Sequence, residues 1–318
     1  MKKLTLILIL VAGVCISGFC AEALSSIVKF ASVEKAISLL SQEDDYTKKW
    51  SRFDIESRLN TKNGTKEELF RYISEQAREW TDSEKAKISA IIKDIENLVA
   101  EQKLNISFPD EIFFVKTTCL EEGGALGYTR ANYVVLKDDV CSGSDEQLTY
   151  LIIHELFHIL TRNDNNFRKS MYEIIGFDLM NEVEYPDKIK ESKITNPDAP
   201  KTDSYIKLKY QGRPIECMMI LYSDEEYDGG AFFEYLNIGL LGLQGGSVKS
   251  AEYTNGVPSI YSLEEIADTD FFEQIGRNTS YIIHPEEILA DNFAYAILAR
   301  SGLPNPEIVD KIIEQLRK

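Results

Sequence analysis

Two of the three histidines in the chain lie four residues apart, with a glutamate directly after the first, in His154-Glu155-Leu156-Phe157-His158. Four residues advance an α-helix by slightly more than one turn, so His154 and His158 project from the same face. Two imidazoles so placed can bind one zinc ion, while Glu155 lies on the adjoining flank, within reach of a water at the metal. This pattern indicates metal-assisted hydrolysis with Glu155 as general base.

The residues around this pair predict a buried helix from Asp145 to Leu160. Ser144 can cap its first turn, and Gln147, three residues later, can reciprocate. Nearly every other position beside the histidines is apolar, so the helix should be buried on most sides. A metal site in such a helix needs its remaining ligand from a distant part of the chain.

A second predicted helix, from Glu286 to Arg300, supplies the candidate for that ligand. Pro285 suits the first turn of a helix, where its missing N–H costs nothing. Glu287 and Asp291 are four residues apart and share a face, so Glu287 could bind the metal while Asp291 accepts the second N–H of a ligating histidine. Glu286 is the rival ligand, but it and Asp291 are five residues apart and diverge, which favours Glu287.

Together, His154-Glu155-x-x-His158 and Glu287-x-x-x-Asp291 resemble the gluzincin pattern of thermolysin-type zinc metallopeptidases. The resemblance implies that His154, His158 and Glu287 bind Zn²⁺. It further implies that Glu155 is the general base and that Asp291 orients a ligand. It covers two short segments, and the interval between them is longer than in thermolysin.

The same resemblance implies two features that no motif locates. One is a sheet edge above the active-site helix that binds extended peptide, for which the strand Tyr133 to Leu136 is the candidate. The other is a side chain that stabilises the tetrahedral oxyanion in the transition state. His284, Tyr281 and Tyr128 are the candidates for that role.

Two other residues could complete the metal site in place of Glu287. His284 directly precedes the second helix, and an imidazole is a good zinc ligand. Asp164 stands where metzincin-like enzymes place their third ligand, but that arrangement needs a glycine for a sharp turn, and Thr161 occupies the position. We favour Glu287 over both.

The pattern along the chain predicts an α+β fold. A helical N-terminal region, residues 24–104, should precede a zinc metallopeptidase-like domain, residues 105–318, built as a small mixed sheet over the active-site helix. Beyond the two helices above, we predict strands at 111–116 and 133–136, a long connection at 181–203, a hairpin of 205–210 with 215–222, and helices at 232–243 and 306–316.

Residues 1–23 have the features of a signal peptide, with Lys2 and Lys3 before a short apolar run and small residues at Ala21 and Ala23. We therefore predict export, with cleavage after Ala23. Lipid attachment at Cys20 is disfavoured because a bulky phenylalanine precedes it. The mature chain keeps three cysteines, Cys119, Cys141 and Cys217, and whether the first two form a disulfide is left open.

The 318 residues carry 52 acidic and 35 basic side chains, a formal charge of −17, which disfavours nucleic acid as a partner. No membrane span is expected in the mature chain. We predict an exported zinc metallopeptidase acting on peptide or protein substrates. The alternatives are a catalytically silent metal-binding or partner-binding module, and a zinc amidase that acts on non-peptide amides of cell-wall material.

Overall fold

A computed structural model describes residues 23–318. The predicted signal peptide, apart from Ala23, and the alternative lipid-attachment residue Cys20 lie outside these described residues. The predicted α+β class is confirmed, with helices packed against a small mixed sheet and a second, antiparallel sheet beside them. Between residues 23 and 318, no helix is both long and apolar enough to cross a bilayer.

The α-helices of the described residues include every helix on which the predicted site depends. They are α1 (Leu24–Ile27), α2 (Val33–Leu40), α3 (Arg52–Leu59), α4 (Lys66–Glu75), α5 (Asp82–Glu101), α6 (Asp145–Asn163), α7 (Asn165–Ile174), α8 (Asp187–Lys190), α9 (Leu263–Ala267), α10 (Phe271–Ile275), α11 (Pro285–Ile297) and α12 (Pro306–Leu316). Helix α6, which carries His154, Glu155 and His158, begins where predicted and ends three residues later. The terminal helix α12 agrees with its predicted bounds at both ends.

The strands of the described residues form two larger sheets and one small hairpin. They are β1 (Val28–Phe30), β2 (Ala77–Arg78), β3 (Ile112–Thr117), β4 (Gly127–Arg130), β5 (Tyr133–Lys137), β6 (Phe177–Leu179), β7 (Ser204–Tyr210), β8 (Arg213–Tyr222), β9 (Asn237–Gln244), β10 (Ser250–Ala251), β11 (Tyr253–Thr254), β12 (Val257–Pro258) and β13 (Ile260–Tyr261). The predicted hairpin is confirmed as β7 and β8, which pair antiparallel.

The first sheet is mixed and lies beside α6. Its strand order is β1-β3-β5-β4, with β1, β3 and β5 parallel and β4 antiparallel to β5, while β2 pairs with the end of β3. The outermost strand on the α6 side is therefore β4, whose Tyr128 lies opposite Val135 of β5. The prediction that Tyr133 to Leu136 forms the free sheet edge is wrong, because β5 is paired on both sides.

The N-terminal region is mostly helical, as predicted, but it also contributes β1 and β2 to the first sheet. These strands have three and two residues, too few for an alternating pattern to be recognised in the sequence. Leu24 and Ile27 of α1 belong to the same hydrophobic core as the active-site helix. The N-terminal region and the sheet over α6 are therefore parts of one packed structure.

The predicted helix at 232–243 is wrong. A 3-10 helix spans Phe232–Tyr235, and the rest of the segment is strand β9, paired with β8 and β13 in the second sheet. A side chain at Gly239 would meet Ile260 and Tyr222 at 3.0–3.1 Å, so this glycine permits the close approach of the neighbouring strands. A short apolar run that is buried on both faces has no period by which helix and strand differ.

Helices α6 and α11 pack closely in the main hydrophobic core. Ala290 and Ala294 of α11 are fully buried, and their small size lets the two helices approach closely. Phe157 of α6 stacks at a tilt on Phe293 of α11, with ring centroids 5.3 Å apart. Burial of each phenylalanine contributes about 1.5–3 kcal/mol, which fixes the faces that the two helices present to each other.

A buried arginine on α3 ties the N-terminal region to the connection before β7. The Arg58 guanidinium donates to Asp54 Oδ1 at 2.8 Å, to Glu122 Oε2 at 3.0 Å and to the Thr195 carbonyl at 3.0 Å. Asp54 in turn accepts from the backbone N–H of Thr195 at 2.9 Å. This network holds residue 195 in place at one end of the segment that enters the candidate site.

Replacing this arginine should be strongly destabilising. In Arg58→Met the Asp54 and Glu122 carboxylates would remain buried without their cation, so we expect unfolding free energy to fall by about 3–5 kcal/mol. Urea denaturation followed by circular dichroism measures this. Arg71→Met on α4 is the control, because the Arg71 side chain is exposed and its loss should cost about 1 kcal/mol or less. Equal losses in the two variants would contradict the role of Arg58.

Candidate metal centre

The structure brings His154, His158 and Glu287 together, as predicted. All three are buried, and one ligand atom from each lies within 4.8 Å of the other two. Glu287 Oε2 is 3.0 Å from His154 Nε2 and 3.6 Å from His158 Nε2. Both imidazoles therefore turn the same ring nitrogen toward one carboxylate oxygen.

The donor set fits a divalent metal ion. Among the described residues, His158 Nε2 is a fully buried nitrogen with no hydrogen-bond partner, although an unpartnered buried polar atom is costly. Its distance to Glu287 Oε2 exceeds that of a hydrogen bond. Two imidazole nitrogens and one carboxylate oxygen form the protein ligand set of many catalytic zinc sites. An ion bound to all three groups would satisfy the free nitrogen.

A separate carboxylate orients each imidazole. His154 Nδ1 donates to Asp291 Oδ1 at 2.9 Å, and Tyr150 OH donates to the same oxygen. His158 Nδ1 donates to Glu286 Oε1 at 3.3 Å. A hydrogen held on Nδ1 would leave Nε2 of each ring available to a metal, which for His154 would replace the present contact of Nε2 with Glu287 Oε2 at 3.0 Å.

Glu286 therefore lies on the far side of His158 from Glu287. It accepts from Tyr172 OH at 2.6 Å and from Thr161 Oγ1, as well as from His158. The spacing in the sequence identifies Glu286 only as a rival ligand and does not predict this orienting contact. Helix geometry could have indicated it. Adjacent residues of a helix point about 100° apart, so Glu286 and Glu287 can contact opposite sides of a residue on the facing helix.

Removing an orienting carboxylate should weaken metal binding while leaving the ligands intact. For Asp291→Asn we expect a zinc dissociation constant about 10–100 times that of the wild type, which is the usual effect of removing a group that orients a ligating histidine. Competition with a chromophoric chelator measures it. Asp310→Asn, on the exposed face of α12, is the matched control and should bind zinc as the wild type does. An unchanged constant for Asp291→Asn would show that the contact does not support the site.

Glu155 lies beside the three candidate ligands without being one of them. Its Oε2 accepts from Thr129 Oγ1 of β4 at 2.8 Å. Burial, together with the nearby charge of Asp198, raises the pKa of the Glu155 carboxyl to about 7. A carboxylate with a pKa near neutrality is well matched to accept and return a proton.

A segment that the sequence analysis treated only as a connection also enters the site. We call residues 195–201 the strap. Asn196 Nδ2 donates to Glu287 Oε1 at 2.6 Å, and Asp198 Oδ1 accepts from the backbone N–H of Thr129 in β4 at 2.6 Å. Arg162 of α6 donates to the backbone carbonyls of residues 197 and 198. The strap thus lies along the outer edge of β4.

The site concentrates buried or partly buried carboxyl groups around two imidazoles: Glu155, Asp198, Glu286, Glu287 and Asp291. Burial raises the pKa of Asp198 well above its ordinary range, and the charge of Glu287 raises it further. Such an excess of negative charge in a poorly solvated place is what a bound cation offsets.

The candidates for oxyanion stabilisation lie at different distances from the three ligands. Tyr281 is at the rim of the site, 45% exposed, with its ring centroid 6.3 Å from that of His154. His284 instead caps α11, because its Nδ1 accepts from the Glu286 backbone N–H at 3.1 Å. Tyr128 is buried on the other face of the sheet and donates to Glu121. Of the three candidates, Tyr281 is the one whose ring contacts the site.

The remaining alternatives are also located by the structure. Asp164 caps the start of α7, where its Oδ1 accepts from the N–H groups of the second and third residues after it. His284 and Asp164 are both absent from the metal-competent groups of the described residues. Cys119, Cys141 and Cys217 are free thiols.

Comparisons of the chain with protein-family models, curated proteins and solved structures give no match.

Proposed function

We propose that this chain is an exported zinc-dependent peptidase. The observation that carries the proposal is the convergence of His154 Nε2, His158 Nε2 and the Glu287 carboxylate, where the His158 nitrogen has no other partner. Glu155 stands beside this point with a pKa near neutrality. The arrangement matches the roles implied by the gluzincin-like motifs in the sequence.

The residues of the chain would divide the reaction as follows. A zinc ion held by His154, His158 and Glu287 would supply Lewis acidity, which activates water and polarises a carbonyl oxygen. Glu155 would accept the proton of the attacking water and pass it to the leaving amine. Strand β4, as the outer strand above α6, would align an extended peptide by backbone hydrogen bonds. Tyr281 would donate a hydrogen bond to the developing oxyanion.

Hydrolysis of a mixed peptide library by zinc-loaded protein, followed by mass spectrometry, tests this function. We expect new amino termini to appear with zinc and to disappear after chelation. Muropeptides assayed in parallel separate a peptidase from an amidase acting on cell-wall material. Cleavage confined to muropeptides would favour the amidase. No cleavage of either substrate, by the wild type and by a zinc-loaded variant with an altered strap, would contradict the proposed chemistry.

The catalytically silent metal-binding module remains the second candidate, because one observation favours it. The strap lies along β4 and brings the Asp198 carboxylate next to Glu155 and His158, where water and substrate would have to enter. Stoichiometric zinc without hydrolysis, both in the wild type and after the strap is altered, is the outcome expected of such a module.

A further inference from the structure

The strap makes the contacts that a peptide substrate on β4 would need. The backbone N–H of Thr129 on the outer strand donates to Asp198 Oδ1 at 2.6 Å. Arg162 Nη2 donates to the carbonyl oxygens of Pro197 at 3.2 Å and Asp198 at 2.9 Å. Extended peptides bind sheet edges through backbone groups such as the Thr129 N–H. With the strap in place, this donor of β4 is already engaged by Asp198.

The strap also brings a carboxylate to the metal centre. One ligand atom from each of Glu155, His158 and Asp198 lies within 4.8 Å of the other two. His158 belongs to this group and to the group with His154 and Glu287, and its Nε2 is the buried nitrogen without a partner. The Asp198 carboxylate is therefore next to the position that an open zinc site keeps for water.

We propose that the strap is an internal inhibitor of the peptidase, in which the Asp198 carboxylate would take the coordination position that water needs and also engages the backbone N–H of Thr129 at the substrate edge of β4. The inference rests on the proposed function and deepens it, since it describes how the same site is regulated. The chain as folded here is the latent form. Activity requires the strap to leave β4.

The surroundings of the strap allow such a movement. Thr195 is held by Arg58 and Asp54, and Asn196 is held by Glu287, so the first two residues of the strap are fixed. Residues 197–201 border a cavity of about 230 Å³, which is lined on its other side by Arg130, Arg168 and Tyr172. The part that carries Asp198 therefore has space beside it, while the part that contacts the metal ligand Glu287 stays in place.

The test is the affinity of the zinc-loaded protein for acetohydroxamate, a small zinc-binding anion that competes for the open coordination position. We compare the wild type with Asp198→Ala and with Asp198→Asn, which keeps an acceptor for Thr129. Isothermal titration calorimetry should show that Asp198→Ala binds acetohydroxamate at least tenfold more tightly than the wild type does. This ratio is expected if the strap is displaced in about a tenth or less of wild-type molecules, because only those molecules can bind the ligand. Peptide hydrolysis should rise in parallel. Asp187→Asn, an exposed change in the same connection, should match the wild type.

The outcomes separate this inference from the proposed function. If zinc is stoichiometric in all proteins and neither Asp198 variant binds acetohydroxamate more tightly, the strap is not an inhibitor. The inference is equally overturned if the Asp198 variants keep zinc and lose hydrolysis that the wild type performs, because Asp198 would then belong to the working site. A wild-type protein that binds no zinc refutes the proposed function itself.

Discussion

Glu155→Gln should lower kcat for peptide hydrolysis by about 10²–10⁴-fold, the usual contribution of a general base. Glutamine has nearly the same shape but cannot accept a proton from water. Its amide can still contact Thr129, which now donates to Glu155 Oε2, so the fold should be unaffected. Zinc content should also be unchanged, because Glu155 is not one of the three proposed ligands. Initial rates on one peptide from the library, measured with equal zinc loading, give the ratio.

The control for this variant lies on the same helix. Glu146→Gln changes an exposed glutamate in the first turn of α6, more than two turns from the site, and should leave kcat within a factor of two of the wild type, roughly the effect of a few tenths of a kcal/mol. Wild-type kcat in Glu155→Gln with bound zinc would remove Glu155 from the mechanism. Loss of zinc from that variant would instead make Glu155 a ligand.

Zinc should stabilise the folded chain strongly, through the residues of the candidate centre. At a free zinc concentration about 1,000 times the dissociation constant, binding to the folded state alone adds about 4 kcal/mol to the unfolding free energy. Without the ion, the carboxyl groups of Glu287 and Asp198 lie close together with less positive charge to offset their negative charge. Calorimetric unfolding with zinc and with a chelator should therefore give clearly different Tm values for the wild type.

Two histidine variants show where the stabilisation originates. His158→Gln removes a proposed ligand and should abolish the difference in Tm between the two conditions. His284→Gln removes the cap of α11, which should lower the unfolding free energy by about 1 kcal/mol. Tm should therefore fall both with zinc and with the chelator, while the difference between the two Tm values persists. If His284→Gln rather than His158→Gln abolishes the difference, His284 is the ligand, and the proposed site is wrong.

The convergence of His154, His158 and Glu287 could be predicted from the sequence because these residues follow helical periodicity. His154 and His158, like Glu287 and Asp291, are spaced by four, and each pair lies in a helix whose apolar residues and first turn are recognisable. Ala290 and Ala294, also four residues apart, give α11 a face of small side chains, which favours close packing on another helix. Each of these features depends on residues that lie close together in the sequence.

What could not be predicted depends on contacts between segments that no local pattern records. Strand β5 is internal because it pairs with β3 on one side and with β4 on the other. No local pattern in Tyr133 to Leu136 indicates these partners, so the sequence could not show that β4, and not β5, is the outer strand. Asp198 lies in a connection rich in proline, asparagine and charged residues, which is typical of surface loops. Contacts with residues distant in the sequence, such as those of Thr195 with Arg58 and of Asn196 with Glu287, bring this segment into the site.

The wrong prediction of a helix at 232–243, where the structure has strand β9, has a different cause. The residues of β9 are apolar on both faces, and the structure buries most of them between β8 and β13. Without an exposed face there is no alternation of polar and apolar residues, and helix and strand become indistinguishable by period. Gly239 and Gly242 could have favoured the strand, since glycine is unfavourable inside a helix by about 1 kcal/mol.

Anomalous diffraction at the zinc edge from crystals of zinc-loaded protein tests the central claim most directly. We predict one strong peak, bonded to His154 Nε2 and His158 Nε2 at about 2.0–2.1 Å and to a Glu287 carboxylate oxygen at about 2.0–2.2 Å. A peak held by other residues, or no peak between α6 and α11 in protein saturated with zinc, would contradict the account.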